Sequence, residues 1–460
     1  MTRTRRIHAR GPLSPNRSGV LPIPGSRRAG IAAAVVLLAA LLACAAGGCG
    51  SKPELKVVIV AIDALDWSVA DPLIEQGKMP NLERVVKEGM RADLHSFVPL
   101  EKSPTIWTTI ATGKGSKKHG IGDFVAATGE RPLMNSTGWR ARSFWDILSE
   151  KGYTVGILNW LVTWPAWEVN GYFIADGVSY SPDDGFEVPE RLTYPPELAE
   201  EIAPYRVSFA STTDDDIADL LGGQDWRTTD DYEIVGGVET ARSLHATDHS
   251  VLNISNYLLE NKPQPDVYAV YFLGVDRACH RFWGPMDPTS VRGITPEEQE
   301  LFGNLIPKYY ERADGYLGEV LDRIDENSTV IVCSDHGFRG PVYVNGAIKL
   351  GIQMHREVGA LAAMGPGIRK GAQVTGASVL DVTPTLLALL GEPVGRDMDG
   401  FVLTEMIDED HLAANPVTYI DTYEGEPDPD AEAADEGEEP LESPLDDAIK
   451  EELRSLGYIQ

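Results

Sequence analysis

Cysteine and basic residues are both scarce in this sequence of 460 residues. It has four cysteines and 40 lysine and arginine residues, against 70 aspartate and glutamate residues, which gives a formal net charge of −30. This excess of negative charge argues against a protein that follows nucleic-acid phosphates with a basic face, so we expect no nucleic-acid polymer as a partner. Any phosphate group that the chain handles must be held locally, by a metal ion or by the positive end of a helix.

The few cysteines cannot form a disulfide framework. Cys44 and Cys49 lie in the N-terminal segment, which leaves only Cys279 and Cys333 for the body of the protein. An oxidising compartment would permit one bridge between them, but a single pair does not form a framework. Because 43% of the residues are apolar, the chain can bury a large core without such bridges. We therefore interpret both residues as buried thiols.

One long apolar run is present, AGIAAAVVLLAALLACAAGG at residues 29–48. It follows an arginine-rich start without acidic residues, which is typical of an export signal, although an uncleaved anchor helix is the alternative. The Gly-Gly-Cys-Gly that ends the run resembles a bacterial lipobox, with Cys49 as the acylated residue and Cys44 as a second candidate. We predict that residues 1–49 are a lipoprotein export signal. The protein would then be anchored to a membrane of the bacterial cell envelope, facing the periplasm or the cell exterior.

Apolar strands and amphipathic helices alternate along most of residues 50–421. KVVIVAI at 56–62 is a near-continuous β-branched run, and MPNLERVVKEG after it predicts a helix that ends at Gly89. FWDILSEKG followed by YTVGILNW repeats the order of helix, glycine and strand. This alternation predicts the α/β class, with a mostly parallel central sheet flanked by helices on both faces.

Three segments interrupt or follow this pattern. Residues 178–262 are rich in proline, aspartate and glycine, and we interpret them as an inserted cap near the site. Residues 422–445 are acidic and poor in apolar residues, which predicts a disordered linker. Residues 446–460 could form a C-terminal helix that docks back on the main domain.

Each of three predicted strands leads to an aspartate. Asp63 follows KVVIVAI, Asp276 follows DVYAVYFLGV, and Asp335 follows STVIVCS. Because the carboxyl ends of parallel strands share one edge of a sheet, where ligands bind, we expect these carboxylates to converge. Their mutual repulsion then requires cations, which predicts a metal centre.

Three histidines have spacings that fit the same centre. His280 lies four residues after Asp276, His336 directly follows Asp335, and His355 precedes the apolar segment ALAAM. Mixed aspartate and histidine ligands are typical of Zn²⁺, and less exclusively of Mn²⁺ or Fe²⁺. We therefore predict divalent metal ions, with Zn²⁺ first.

Taken in order, these motifs resemble a known family over about residues 56–408. AIDALD, SPTIWTTIATG with KHGI after it, D-x-x-x-H, SDHGF, H-R-x-x-G and DVTPTLLALLG are similar to the alkaline phosphatase superfamily. Within it they resemble the type I phosphodiesterase/nucleotide pyrophosphatase branch. The resemblance implies an alkaline phosphatase-like fold, two metal ions, and a covalent intermediate on a hydroxyl nucleophile.

The resemblance also implies a role for each candidate ligand. One metal ion would be held by Asp63, Asp335 and His336. The other would be held by Asp276, His280 and His355. The nucleophile would approach both ions and count as a further ligand.

That nucleophile is expected to be Ser103. In the family the nucleophile stands ten residues before the glycine of a Thr-Gly pair, and counting back from Gly113 reaches Ser103. Helix chemistry agrees, because Ser103 is a good N-cap and Pro104 fits the first helical position. The alternative nucleophile is Thr105, which otherwise is a candidate substrate contact. Asn159, at the end of the YTVGILNW strand, is a second candidate substrate contact.

Basic side chains follow this helix closely. We expect them to be solvated rather than catalytic; they are Lys114, Lys117, Lys118 and His119.

We predict a metal-dependent phosphoric ester hydrolase that acts through two metal ions and a phosphoseryl intermediate. Its substrate would be a small phosphate ester or an envelope component. Family members with nucleotide substrates commonly follow the nucleophile with Phe-Pro-Asn, and that asparagine is missing here, which leaves nucleotide specificity open. A sulfatase would need Cys/Ser-x-Pro-x-Arg, but Trp107 stands in place of the arginine. A phosphomonoesterase, an envelope phospho-group transferase and a non-catalytic binding lipoprotein are the alternatives.

Overall fold

The computed structural model describes residues 55–126, 132–179, 189–222, 226–344, 347–425 and 441–459. The predicted export signal, with Cys49 and Cys44, lies outside these residues, and so does most of the predicted acidic linker. No helix in the described ranges has the length and hydrophobicity needed to cross a lipid bilayer.

The strands are numbered in chain order. They are β1 (Lys56–Ile62), β2 (Met90–His95), β3 (Val155–Trp160), β4 (Gly171–Ala175), β5 (Thr193–Tyr194), β6 (Val267–Phe272), β7 (Ser328–Cys333), β8 (Gly337–Phe338), β9 (Val342–Val344), β10 (Ala347–Lys349), β11 (His355–Arg356), β12 (Val358–Met364), β13 (Val394–Gly395) and β14 (Tyr419–Ile420).

The helices are numbered in the same way. They are α1 (Trp67–Glu75), α2 (Pro80–Glu88), α3 (Ser103–Thr112), α4 (Ser116–His119), α5 (Phe144–Glu150), α6 (Leu198–Ile202), α7 (Asp214–Ile217), α8 (Tyr232–Asn261), α9 (Gly274–Met286), α10 (Pro296–Phe302), α11 (Leu305–Leu321), α12 (Val382–Leu389), α13 (Glu409–Ala414) and α14 (Asp446–Ser455).

An eight-stranded sheet with the order β2-β12-β7-β1-β6-β3-β4-β5 forms the centre of the fold. The strands β7, β1, β6, β3 and β4 are parallel to one another, whereas β12 and β5 run antiparallel to their neighbours. In the register of the central strand, Val57 pairs with Val267 on one side and with Thr329 on the other. The carboxyl ends of β1, β6 and β7 therefore lie side by side.

Both faces of this sheet are covered. Every residue of β3, β6 and β7 is buried, and so is every residue of β1 after Lys56. Successive side chains of a strand point to opposite faces, so burial at all positions requires packing on both sides. The predicted α/β class, with a mostly parallel sheet flanked by helices, is confirmed.

The two cysteines within the described ranges are free and buried, as predicted. Cys279 lies on α9 and Cys333 ends β7, and neither forms a disulfide.

The segment 178–262, which the sequence predicts as an inserted cap, needs correction in its second half. Residues Tyr232–Asn261 form the long helix α8, which packs against β3 and β6 and buries side chains such as Leu244 and Val251. The side chain of Asp231 caps its first turn by accepting bonds from two backbone N–H groups. This half therefore belongs to a helical layer. Its two glycines and many serine, threonine and histidine residues obscure the helical period.

The C-terminal helix α14 ends in a Schellman motif. The N–H of Tyr458 donates to the carbonyl of Leu453 at 2.9 Å, and the N–H of Gly457 donates to the carbonyl of Arg454 at 3.1 Å. Gly457 has φ +81°, a left-handed conformation that glycine adopts without a steric penalty. The turn reverses the chain and directs Tyr458 into the main domain.

Candidate metal centre and active site

The predicted ligands come together at the carboxyl edge of the sheet. Asp63 directly follows β1, while Asp335 and His336 follow the adjacent strand β7. Asp276 differs from the prediction, because β6 ends at Phe272 and Asp276 lies in the first turn of α9. His280 follows one helical turn later and so faces the same side as Asp276.

A short antiparallel pairing brings His355 to this edge. The strand β11 pairs with β8 immediately after His336, with His355 opposite Phe338. The imidazole rings of His336 and His355 stack with their centroids 3.6 Å apart. All six predicted metal ligands are thus near neighbours although they span residues 63 to 355.

Two groups of donor atoms are resolved. In the first, Nε2 of His336 lies 3.5 Å from Oδ1 of Asp63 and 3.3 Å from Oδ2 of Asp335. In the second, Oδ1 of Asp276 lies 3.4 Å from Nε2 of both His280 and His355. The groups are adjacent, since His336 Nε2 is 4.0 Å from Asp276 Oδ1. Such spacings allow several donors in each group to contact one ion.

Each of the three carboxylates keeps one oxygen without a hydrogen-bond partner in the described part of the chain. These buried atoms are Oδ1 of Asp63, Oδ1 of Asp276 and Oδ2 of Asp335. Burying a charged oxygen without a partner is costly, so native structures nearly always satisfy it. The free oxygens face the imidazole nitrogens, and this donor set fits the divalent metal ions that the sequence predicts.

The other oxygen of each carboxylate is fixed by a hydrogen bond. Tyr271 and Trp107 donate to Oδ2 of Asp63 at 2.5 and 3.2 Å. Backbone N–H groups of residues 64 and 336 donate to Oδ1 of Asp335 at 3.3 and 3.0 Å. These bonds orient the carboxylates so that their free oxygens point to the centre.

The tautomer of His336 and the neutral state of His355 fit metal binding as well. Nδ1 of His336 lies 3.0 Å from the carbonyl oxygen of Gly337, which assigns the proton to Nδ1 and leaves the Nε2 lone pair for the centre. Burial lowers the pKa of His355 to about 3, so its imidazole is neutral. Both rings can therefore donate a lone pair to a metal ion.

Burial and mutual repulsion oppose ionisation of two of the three carboxylates, those of Asp63 and Asp335. Burial, with the negative charges of Asp335 and Asp276 as a second cause, raises the pKa of Asp63 well above its usual value. Burial raises the pKa of Asp335 to about 7. Cations between these groups would reverse both effects, because an opposite charge nearby favours the ionised form.

Ser103 begins the helix α3 beside the first group. Its Oγ lies 3.3 Å from Nε2 of His336, and its side chain is buried. The predicted capping role needs correction by one residue, since Lys102 is the N-cap and Ser103 is the first helical residue. The Ser103 hydroxyl is therefore directed to the centre instead of back to the helix backbone.

Thr105 lies further along the helix and is fully buried. Its Oγ1 has no hydrogen-bond partner among the described residues. Unlike Ser103, it does not line the cavity that opens beside the metal ligands. The geometry favours Ser103 over Thr105 as the hydroxyl that reaches a substrate.

A cavity of about 120 Å³ adjoins the ligand cluster, and Asn159 is in its wall. Asn159 has φ +63° where β3 bulges, and its Nδ2 donates to the carbonyl of Tyr271 at 3.1 Å. Its buried Oδ1 has no partner in the described ranges and so remains an acceptor for a bound molecule. The start of the predicted cap lines the same cavity, through Ser179 and Pro189.

Three aromatic residues of the site are missing from the sequence prediction. Tyr271 and Trp107 each lie in an apolar segment, so the sequence indicates that they are core residues. Tyr458 follows α14, and its hydroxyl reaches Asp276, His280 and His355. The Leu-Gly-Tyr sequence at the end of an amphipathic helix is a signal for the turn, although it does not indicate where the tyrosine points.

Fold and site together define an α/β protein whose buried carboxylates and imidazoles can hold divalent metal ions beside a serine. The profile of the family described as Type I phosphodiesterase / nucleotide pyrophosphatase matches residues 57–383. The chain belongs to this family, within the alkaline phosphatase superfamily, which confirms the resemblance seen in the motifs. Divalent metal dependence is implied by the family.

Solved structures provide more distant likenesses. A phosphonoacetate hydrolase from Sinorhizobium meliloti 1021, in complex with phosphonoformate, is 18% identical, with a TM-score of 0.38 over 64% of this chain and 59% of that one. A 2-O GAG sulfatase is 14% identical, with a TM-score of 0.48 over 76% of this chain and 74% of that one. The chain thus matches less than two thirds of the length of the phosphonoacetate hydrolase. Comparison with curated proteins gives no match.

Proposed function

We propose that the protein is a phosphodiesterase-like hydrolase with two divalent metal ions and Ser103 as its nucleophile. The observation that carries the proposal is the set of three buried carboxylate oxygens without hydrogen-bond partners, converging with imidazole nitrogens beside the Ser103 hydroxyl. A purely structural cluster would pair these atoms with protein donors. Their arrangement supports a centre that binds cations and acts on an ester.

The six candidate ligands form two sets of three, one for each ion. Asp63, Asp335 and His336 would hold one, and Asp276, His280 and His355 would hold the other. Zn²⁺ is the expected ion, with Mn²⁺ or Fe²⁺ as alternatives, because the donors are mixed carboxylates and imidazoles. When bound, such ions supply positive charge that lowers the pKa of a hydroxyl and polarises a phosphoryl group.

Ser103 carries the covalent step. Its hydroxyl gives its proton to solvent, its Oγ bonds to phosphorus, and the bond between phosphorus and the first alcohol oxygen breaks. The departing alkoxide takes a proton from solvent and leaves as the alcohol. Water then attacks the phosphoserine, the bond between Oγ and phosphorus breaks, and Ser103 regains a proton. The position of Ser103 at the start of α3 places the positive helix end near the phosphoryl oxygens.

The cavity supports a diester with an apolar or uncharged substituent. Its wall includes Leu161, Val162 and Leu453. Among the described residues that line it, Arg277 is the only one with a cationic side chain, and it pairs with Glu452 at 2.6 Å. Such a wall offers little compensation for a highly charged substrate. Asn159 Oδ1 could accept a hydrogen bond from the substituent.

Export and anchoring complete the proposal. The protein would be attached to the cell envelope by a lipid on Cys49, which favours an envelope phosphate ester as substrate. The mass of the N-terminal peptide of the mature protein tests this. Acylated Cys49 is expected, and a mature chain that begins at Cys44 or keeps residues 1–43 would contradict it.

Hydrolysis assays test the activity. The full-length protein in detergent, loaded with Zn²⁺ or Mn²⁺, is given bis-p-nitrophenyl phosphate and p-nitrophenyl phosphate in parallel, with a chelated sample as control. We expect faster, metal-dependent cleavage of the diester. Faster cleavage of the monoester would make the protein a phosphatase, and cleavage of neither would contradict the hydrolase proposal.

A further inference from the structure

The phenol oxygen of Tyr458 lies among the ligands of the second group. It is 2.7 Å from Nε2 of His280, 2.9 Å from Nε2 of His355 and 3.2 Å from Oδ2 of Asp276. Neither the motifs nor the family profile, which ends at residue 383, includes this residue. The C-terminal segment thus adds an oxygen atom to the centre.

Contacts on both sides of the site hold the segment in place. Nζ of Lys102, next to the nucleophile, donates to the carbonyl of Tyr458 at 3.0 Å. Arg277, next to Asp276, pairs with Glu452 of α14 at 2.6 Å. The helix is therefore tied to the residues that flank Ser103 and Asp276.

Packing fixes the ring of Tyr458 independently of its hydroxyl. The ring is buried and lies 5.0 Å from the ring of Phe124, within a small apolar cluster that includes Leu133 and Leu453. The left-handed turn at Gly457 sets the direction in which the side chain leaves the helix. The position of the phenol oxygen is thus determined by the fold as well as by its polar contacts.

The donor atoms of these four residues lie close enough together to contact one ion. The Nε2 atoms of His280 and His355 are 3.0 Å apart, and each is 3.4 Å from Oδ1 of Asp276. Donors bound tetrahedrally to zinc at about 2.0–2.1 Å lie about 3.3 Å from one another. The phenol oxygen lies closer than this to the two imidazole nitrogens, at 2.7 and 2.9 Å, and 3.2 Å from Oδ2 of Asp276. An oxygen donor suits the ions named above.

We propose that Tyr458 is a fourth protein ligand of the metal ion held by Asp276, His280 and His355. This makes the C-terminal helix part of the metal centre. The inference rests on the proposed two-metal function, but it concerns metal binding and can be tested apart from turnover.

The test compares metal binding by three full-length proteins. They are the wild type, Tyr458→Phe and Tyr153→Phe. The first substitution removes the oxygen and keeps the ring. The second is a control that removes a phenol bonded to Glu392 at 2.9 Å, outside the centre. Zn²⁺ affinity is measured by competition with a chromophoric chelator, and Co²⁺ loading adds the visible absorption of the bound ion.

In the wild type we expect two bound ions per chain. In Tyr458→Phe the affinity for one of them falls by more than about a hundredfold, which exceeds the cost of losing an orienting hydrogen bond, and the Co²⁺ absorption changes, while the other ion is retained. Tyr153→Phe behaves as the wild type.

Two results would overturn the inference, and they differ in what else they overturn. If Tyr458→Phe binds both ions within twofold of the wild type and with the same Co²⁺ absorption, Tyr458 is not a ligand. The proposed hydrolase function then still stands. If the wild type binds no metal ion, the inference and the proposed function both fail.

Discussion

The hydroxyl of Tyr271 donates a 2.5 Å hydrogen bond to Oδ2 of Asp63. Trp107 donates to the same oxygen, so that only Oδ1 remains for a metal ion. Both donors are fully enclosed in the core. The carboxylate is therefore oriented by residues on α3 and β6 before any ion binds, which reduces the cost of assembling the centre.

Removal of the Tyr271 hydroxyl is expected to weaken metal binding. Tyr271→Phe leaves Oδ2 of Asp63 with the Trp107 bond alone, and loss of a group that orients a ligand typically costs ten- to a hundredfold in metal affinity, on the order of 2 kcal/mol. Competition with a chelator measures the change. Tyr268→Phe, on the same strand as Tyr271, loses a bond to Ser255 of α8; it is the control and should bind metal normally. Equal affinities of both variants would refute the orienting role.

Substitution of Ser103 is expected to separate turnover from metal content. Ser103→Ala removes the nucleophile but none of the six Asp and His ligands, so hydrolysis falls by about 10³-fold or more while zinc content persists. Thr105→Ala keeps substantial activity, because Thr105 does not line the cavity. Steady-state rates and the metal content of both variants test these expectations. An active Ser103→Ala together with an inactive Thr105→Ala would show that the nucleophile is misassigned.

Much of the fold, and the convergence of the candidate ligands, could be predicted from local sequence. Continuous β-branched runs mark buried parallel strands, and Asp63 and Asp335 follow two of these strands directly. Asp276 was placed correctly at the sheet edge but on the wrong element, because Leu273 and Gly274 continue an apolar run that the backbone does not use as strand. The six candidate ligands occur in short motifs, so they can be recognised in the sequence.

The supporting residues could not be predicted in the same way. Tyr271 and Trp107 lie far from Asp63 in the sequence but donate hydrogen bonds to its carboxylate. Nothing in their own segments distinguishes them from ordinary core aromatics. The expectation that Lys114 and His119 are solvated is wrong, since both are buried. The partners of Lys114 are Asp397 and Glu424, which lie 283 and 310 residues away in the sequence.

The burial of His119 predicts a specific pH dependence. Ile121 donates to its Nδ1, Thr109 Oγ1 lies 3.1 Å from its Nε2, and burial lowers its pKa to about 4. As pH falls from about 6.5 to 4, the unfolded chain binds a proton that the folded chain excludes. The folded state then loses about 3 kcal/mol from this group.

Urea unfolding of the wild type and His119→Gln at pH 7 and pH 4.5 measures this effect. The variant is less stable at pH 7, because it loses the bonds of the imidazole. At pH 4.5 the wild type loses stability because its imidazole resists protonation, whereas the variant has no imidazole and does not. The difference in free energy of unfolding between the two proteins therefore narrows by about 2–3 kcal/mol from pH 7 to pH 4.5. A difference that stays constant with pH would exclude His119 as the source.

The buried ammonium of Lys114 is expected to stabilise the fold. Its Nζ lies 2.6 Å from carboxylate oxygens of both Asp397 and Glu424, and its side chain is only 3% exposed. Lys114→Met leaves two carboxylates without their cation, which we expect to lower the free energy of unfolding by about 3 kcal/mol. Lys118→Met is the matched control, because Lys118 forms a surface pair with Asp399 that is worth about 1 kcal/mol or less. Similar losses in both variants would contradict the role of burial.

The register of β1 has a consequence for how the protein folds. Its Val57 must find Val267 and Thr329, so the central strand closes two very long loops before it has any neighbour in the sheet. Domains dominated by such distant pairings fold slowly, because loop-closure entropy is lost before the contacts form. During synthesis β1 stays unpaired until most of the chain has left the ribosome. We therefore expect the active site to assemble at the end of folding, so that binding of divalent metal ions would mark the formation of the native state.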